Sequence, residues 1–351
     1  TIAKPGSIAI STRAPIGHIA ITSKESCVNQ GCRLIEPIGG STSFWYYCAN
    51  ASVNILQSKG QGTTFMELPR SSLASTKFPV PPVEEQQKIA EFLDYKTAQI
   101  YALIAKKEDL LLKLQEKRSA LITQAVTKGI NPGAPMKPSG VEWLGAVPAY
   151  WNIKRLKFTV NLISDKIEAE SSDLEYMGLE HIESWTGKRI EDEKAFSEGT
   201  ASKFLKDDVL FGKLRPYLAK VYLANHTGLV STEALVLRSK KVVYGGFLRY
   251  YMATRDFIDI VNSSTFGSKM PRANWDFIGN LPMLLPEYDE QVSIANFIES
   301  KLSQLDAQKK KVEDVIAKLQ EYRAALITNA VTGKIDVRDF TIRINQKACP
   351  G

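Results

Sequence analysis

The chain has 351 residues, 44% of them hydrophobic and 24% charged, with a formal net charge of +7. That length provides for two or three hydrophobic cores, and the composition is that of a soluble globular protein rather than a disordered or fibrous one. No stretch approaches the roughly 18 uninterrupted apolar residues of a membrane span and no basic-then-apolar signal segment opens the sequence, so the expected location is the cytoplasm.

Residues 1–79 carry 7 Lys/Arg against 3 Asp/Glu, while 80–130 carry 8 against 7, 131–285 carry 20 against 18 and 286–351 carry 10 against 10. The excess therefore sits on the parts that read as globular, and a polyanion partner fits it. Cys27, Cys32, Cys48 and Cys349 have neither CxxC spacing nor a histidine cluster nearby, so buried free thiols are expected rather than a zinc site or disulfides.

In chain order, residues 1–79 read as a first mixed α and β domain. Residues 80–130 read as one long helix, introduced by Phe78-Pro79-Val80-Pro81-Pro82, where proline fixes the approach and cannot continue a helix backwards. Its apolar residues keep a heptad over about five repeats: Leu93, Ile100, Leu114 and Leu121 in one seam position, Ile104, Leu111 and Ala125 in the other. Forty-odd helical residues at about 1.5 Å each span on the order of 60 Å.

A breaker-rich linker, 131–138, follows and leads into a second mixed domain, 139–285. Asp208 to Gly212 and Leu229 to Leu237 read as strands there, and Gly246 to Asn262 as an amphipathic helix. Residues 286–335 then form a second long helix, with Ile298, Leu305, Val312, Leu319 and Leu326 on one seam position and Leu302, Ile316 and Ala330 on the other; 336–351 is a tail. Lys107, Lys309, Arg118 and Arg323 interrupt the seams, where such residues set register or reach a partner.

The two helices are one segment written twice. Residues 85–130 and 290–335 align without a gap at an offset of 205, and 24 of the 46 pairs are identical, Arg118 with Arg323 among them. A period this long is a tandem of domain-plus-helix units, not a solenoid. The domains repeat more faintly: Ser7 to Ile10 matches Asp208 to Phe211, Val28 to Leu34 matches Val230 to Val236, and Phe44 to Tyr47 matches Phe247 to Tyr250, the offset growing from 201 to 205 along the chain. On that alignment the first domain lacks a counterpart of roughly residues 139–201. The expectation is a chain shortened at its N-terminus, with a naturally reduced first domain as the alternative.

Catalytic signatures are missing: there is no phosphate loop, no GxGxxG, HExxH or GxSxG, and no NPPY-like methyltransferase motif. His18, His181 and His226 are scattered and read as ordinary surface or packed histidines. The acidic run Glu191-Asp192-Glu193-Lys194 has no upstream Pro-Asp to complete a nuclease motif and reads as a solvated loop.

Binding has better material. Around the turn Phe211 to Lys220 cluster Lys213, Arg215, Tyr217 and Lys220, and the matching turn of the first domain carries Thr12 and Arg13. A second basic loop, Phe266 to Trp275, offers Ser268, Lys269, Arg272 and Asn274; it aligns with Gly60 to Thr64, where Thr63 and the preceding Lys59 are the candidates. Arg and Asn bond bidentately to guanine and adenine edges, while Lys, Ser and Thr suit phosphates. Basic turns are also common solvated features, and only their recurrence in both copies points to nucleic acid.

Together the motifs resemble the specificity subunit of Type I restriction–modification systems. The carriers are Pro81 to Ala90 with its echo Pro286 to Ala295, the Arg-x-Ala-Leu-Ile-Thr-x-Ala-Val-Thr helix ends at 118–127 and 323–332, Ser139 to Gly145 with Pro148 and Trp151, and Leu210 to Tyr217. The resemblance implies an α+β fold in which two target recognition domains each read half of a bipartite DNA sequence, separated by two long antiparallel coiled-coil helices. It also implies two modification (methyltransferase) subunits carrying S-adenosylmethionine and restriction (motor-nuclease) subunits using ATP and Mg2+, with no catalytic residue, cofactor or metal on this chain. Leu93, Ile100, Ile104, Leu111, Leu114, Arg118 and Leu121 of the first helix, with Ile298, Leu305, Val312, Ile316, Leu319, Arg323 and Leu326 of the second, are the expected subunit interface. Two other readings stay open: a coiled-coil scaffold that binds proteins, and a stand-alone DNA-modifying enzyme.

Overall fold

The computed structural model describes residues 2–62, 66–190, 199–267 and 269–341. It divides into two compact units, Thr1–Leu111 with Lys310–Gly351, and Leu112–Lys309. The division falls partway along both long helices, Val83–Lys128 and Tyr288–Val331. Each unit thus owns one globular domain, the near part of the helix that follows it and the far part of the other helix. No helix among the described residues is long and apolar enough to cross a membrane.

In the first unit a three-stranded antiparallel sheet has the order Ile19–Ile21, Ile8–Ser11, Cys32–Ile35. In the second, Val221–Leu223, Val209–Gly212 and Ala234–Ser239 pair in the same order and sense, and Val160–Ile163 adds a fourth strand beyond them. The shared strands stand at the offsets read from sequence. A second sheet in the second unit holds Lys166–Glu168, Thr200–Phe204, Gly228–Ser231 and Tyr176–Met177, and its central antiparallel pair recurs in the first unit as Ile2–Ala3 with Ser26–Cys27; the outer strands, and the pair Asn152–Arg155 with Pro282–Leu285, are found among the described residues of the second unit.

Two elements differ from the sequence expectation. Leu229 to Leu237 is not one strand: Gly228–Ser231 ends before Thr232 and Glu233, and Ala234–Ser239 begins a strand in the other sheet. A continuous apolar pattern cannot show that the chain changes sheets, because both strands are buried on both faces. Gly246 to Asn262 is likewise two helices, Gly245–Met252 and Arg255–Ser263. Thr254 between them is extended (φ −67°, ψ 148°) and donates its hydroxyl to the Tyr251 carbonyl at 2.9 Å, so the backbone turns while the apolar period continues. Of the cysteines, Cys48 is buried but Cys32 is half-buried and Cys27 exposed, against the expectation of buried thiols; Cys349 lies outside the described residues.

The helix seams are filled from within the chain. In the first unit Ile89, Leu93, Ile100 and Ile104 share a core with Leu326, Ile327, Ala330 and Val331, so the start of one helix lies along the end of the other and they run antiparallel. Domain residues Phe44, Tyr47 and Cys48 complete this core, and Phe92 meets Phe340 edge-on at 5.1 Å. In the second unit Ile122, Ala125 and Val126 join Ile294, Ala295, Ile298, Leu302 and Leu305 and are continuous with Trp151, Phe247 and Tyr251 of the domain. The seam arginines set this pairing: Arg118 donates to Asp306 at 3.0 Å, with Lys188 on the same carboxylate at 2.6 Å, whereas Arg323 lies over the Tyr101 ring at 4.6 Å.

One side chain fixes each domain to its helix. Gln291, fully buried, accepts from the Tyr244 N–H at 2.8 Å and donates to the Val242 and Pro286 carbonyls at 3.0 and 2.9 Å. Its repeat equivalent Gln86 accepts from the Ser41 N–H at 3.2 Å and donates to the Pro81 carbonyl at 2.9 Å. Ser41 and Tyr244 each stand at the start of the first helix after the domain's sheet, so the amide ties helix start to helix start. Gly40, at φ +81°, lets the backbone pass against the Gln86 amide where a Cβ would collide with it.

Removing the Gln291 amide leaves a part-buried N–H and two carbonyls, one of them buried, without this partner, so Gln291→Ala is expected to cost about 2 kcal/mol in urea unfolding, and Gln86→Ala, with fewer partners, about 1 kcal/mol. A Gln291→Ala transition at the wild-type urea concentration would show that the clamp carries no stability.

Candidate functional site

The candidate loops are built on the shared sheet, and in both units the same backbone bonds close them. In the second unit the Lys213 N–H donates to the Glu233 carbonyl (2.9 Å), Arg215 to Pro271 (2.8 Å) and Ala273 to Lys213 (2.9 Å). In the first unit Thr12 donates to Gly31 (2.7 Å), Ala14 to Met66 (3.1 Å) and Leu68 to Thr12 (2.7 Å). Bridges between Leu214 and Arg272 and between Phe266 and Arg272 repeat as Arg13 with Glu67 and Gln61 with Glu67. The two basic loops that sequence kept separate in each domain are therefore one surface feature, made twice on one frame.

Within the second unit the side chains divide by exposure. Arg215 is exposed and held at φ 51°, a left-handed conformation uncommon outside glycine, by its own N–H bond to Pro271 and by the Leu218 N–H on its carbonyl at 2.9 Å. Tyr217 is 45% exposed, and Lys269 and Asn274 also face solvent, although the Asn274 side-chain oxygen caps the short helix Trp275–Ile278 by accepting from Asp276. Lys213 is half-buried. Arg272 is exposed and forms a bidentate pair with Glu233 at 2.9 and 3.1 Å, which raises its pKa through the Glu233 hydrogen bonds.

Several candidates are committed elsewhere. Lys220 points inward: its ammonium donates to the Leu179 carbonyl at 2.6 Å, and desolvation lowers its pKa. Thr12 is fully buried with its hydroxyl on the Gly31 carbonyl at 3.2 Å, so it shapes the loop and offers no group outward. Lys59 donates to the Thr76 hydroxyl at 3.0 Å, and Arg13 pairs with Glu67 at 3.3 Å. Thr63, Ser268 and the run Glu191 to Lys194 lie outside the described residues.

The seam residues expected to form a subunit interface are also occupied. Leu93, Ile100, Ile104, Ile298, Leu305, Val312 and Leu326 are buried inside the chain, Leu111, Leu114, Leu121, Ile316 and Leu319 are half-buried along the same seams, and Arg118 and Arg323 hold intramolecular partners. A heptad marks a face that must be covered but not what covers it. The helix surfaces left to solvent are others, with Leu103, Leu110 and Leu112 on the first helix and Val315 and Tyr322 on the second.

Sequence reading missed the acids and apolar groups of these loops. Glu67 and Glu233 were not candidates because an anionic ligand disfavours them and their arginine partners are distant in sequence. Phe266 is 81% exposed and Met270 48% exposed beside Arg272; only their position in a glycine-bearing loop could have marked them.

Comparison with known proteins bears on these loops. Residues 1–113 match the family model of the Type I restriction modification DNA specificity domain. Over 321 residues, 86% of the chain, it is 25% identical to the Type I restriction enzyme EcoDI specificity subunit of Escherichia coli and spans 72% of that protein. Among solved structures it is similar to a chain from work on complex assembly and conformational transition of the type I R-M system (TM-score 0.66, 16% identity, 95% of this chain and 84% of that one). It is also similar to the HsdS subunit from Thermoanaerobacter tengcongensis (TM-score 0.51, 16% identity, 95% and 82% covered).

The inward Lys220 and the outward Lys269 should separate on a polyanion. Lys220→Met is expected to elute from immobilised heparin at the wild-type salt concentration, and Lys269→Ala at a lower one, since only an exposed ammonium displaces counterions. Early elution of Lys220→Met would show that its ammonium leaves the Leu179 carbonyl to bind.

Proposed function

From its similarity to Type I restriction–modification specificity subunits, we propose that this chain is the DNA sequence-recognition subunit of such a complex. Each domain reads one half of a bipartite duplex target through its paired loops, and the long helices space the two readers. The observation that carries this is the loop pair itself: an identical set of backbone bonds closes it in both units while the side chains at its tips differ. A frame kept constant under changing tips is what two readers of different sequences require.

Exposed cations, Lys269 and Arg215, supply phosphate contacts, which set register but carry no sequence information. Arg272 and Asn274 are of the types that bond base edges in the major groove. Two modification subunits dock on the exposed helix faces around Leu103, Leu110 and Leu112 and around Val315 and Tyr322, because the seams are already filled. Restriction subunits join that assembly in the cytoplasm. S-adenosylmethionine, ATP and Mg2+ belong to those partners, and this chain performs no catalytic step.

Exchange of residues 139–285 for the corresponding domain of another specificity subunit tests the modular reading. In complex with the modification subunit, the methylated motif is expected to change in one half and to keep the other half. A change in both halves would sink the one-domain, one-half-site assignment. A mobility-shift series run beside it should show affinity falling steeply with salt; no DNA binding with the modification subunit present would point instead to a protein-binding scaffold, and methylation or cleavage by this chain alone to an enzyme.

A further inference from the structure

The backbone bonds of the two loop pairs make residue 67 of the first unit and residue 272 of the second structurally equivalent, since each is the shared partner in both bridges of its loop. Their charges are opposite. Glu67 faces Arg13 across the first pair at 3.3 Å, and Arg272 faces Glu233 across the second at 2.9 and 3.1 Å. The partner has also moved: Glu233 corresponds to Gly31, and Arg13 to Leu214, by the backbone bonds that place them. An ion pair is present in both loops, but with its acid and base interchanged and built from different positions.

These side chains are surplus to closing the loops, because the same backbone bonds form in both units whatever the tips carry. Nor does their exposure suit a stabilising role. The side chains of Arg272 and Glu233 are 51% and 27% exposed, those of Arg13 and Glu67 50% and 42%, so solvent and salt screen both pairs and reach them. A solvent-accessible partner can be exchanged for a ligand that offers the same bonds. A carboxylate offers a guanidinium fork two acceptors, as O6 and N7 of guanine do, so Glu233 occupies the place a guanine edge would take. Phe266, 81% exposed and bridged to Arg272 through the backbone, adds an apolar surface to the same loop, which suits a base and adds nothing to a phosphate contact.

We infer that Glu67 and Arg272 are the equivalent base-reading positions of the two domains: Arg272 takes the acceptor edge of a guanine and Glu67 the amino group of a cytosine. Glu233 and Arg13 are their resting partners, given up only to the matching edge. A base presenting a single acceptor, or a donor, does not replace the lost pair, so the resting partner sharpens discrimination as well as holding the side chain in place. The inference rests on the reading that these loops bind duplex DNA.

The test uses the full chain assembled with its modification subunit, with methylated sites mapped by sequencing. Arg272→Gln is expected to relax one G·C pair in the half-site of the second domain, with discrimination there falling by about tenfold and the other half-site unchanged. Glu67→Gln should relax one C·G pair in the other half-site only. Glu233→Gln, which leaves Arg272 in place, should admit other bases at the pair that Arg272 reads. An unaltered motif in Arg272→Gln, or a uniform loss of affinity for all sequences with a salt slope reduced by about one, would overturn the assignment and make Arg272 a bystander or a phosphate contact. Failure of the parent reading looks different: the wild-type complex would itself methylate no two-part motif.

Discussion

A buried side-chain amide hydrogen-bonded to the backbone of the domain is the constraint on which each unit depends. Gln291 lies fully inside its unit, and Gln86 nearly so, each joining the start of a long helix to the start of a domain helix. Unpaired donors and acceptors in an apolar interior cost far more than a typical hydrogen bond returns, so the amide admits one docking geometry and penalises its neighbours. An apolar residue at this place would tolerate sliding. The backbone that the amide bonds, at Val242 and Tyr244 in one unit and at Ser41 in the other, follows directly on the sheet that carries the loops.

The long helices apply the same principle along their seams. Apolar burial holds them together, but burial is non-directional and tolerates slips of register. Arg118 with Asp306 and Arg323 over Tyr101 supply the direction, each a polar group with one good partner within reach. These pairs explain why a charged residue stands in an apolar seam at the same place in both copies. They also show that these seam groups hold partners within the chain.

Constancy and variation are thus distributed by physical role. Backbone bonds, the clamp and the seams carry stability and geometry, and these recur. The loop tips are not needed to close the loops, because the same backbone bonds form in both units, and they are free to differ. Opposite charges at residues 67 and 272 are the sharpest case, since the fold accepts either sign at one position of one frame.

The helices, their seams, the internal repeat and the offset running from 201 to 205 were legible in the sequence, because helical period and local identity are properties of neighbouring residues. So were the basic turns at Lys213 to Tyr217 and Lys269 to Asn274. The sequence could not show that Lys220 and Thr12 turn inward, that residues 229–237 pass from one sheet to another, or that Thr254 splits a helix whose apolar period runs on through it. Nor could it pair Arg272 with Glu233, or show that both helix seams are satisfied within the chain. Each of these is decided by contacts between residues far apart in the chain, where burial and hydrogen-bond satisfaction, rather than residue type, determine which side chains remain available to a ligand.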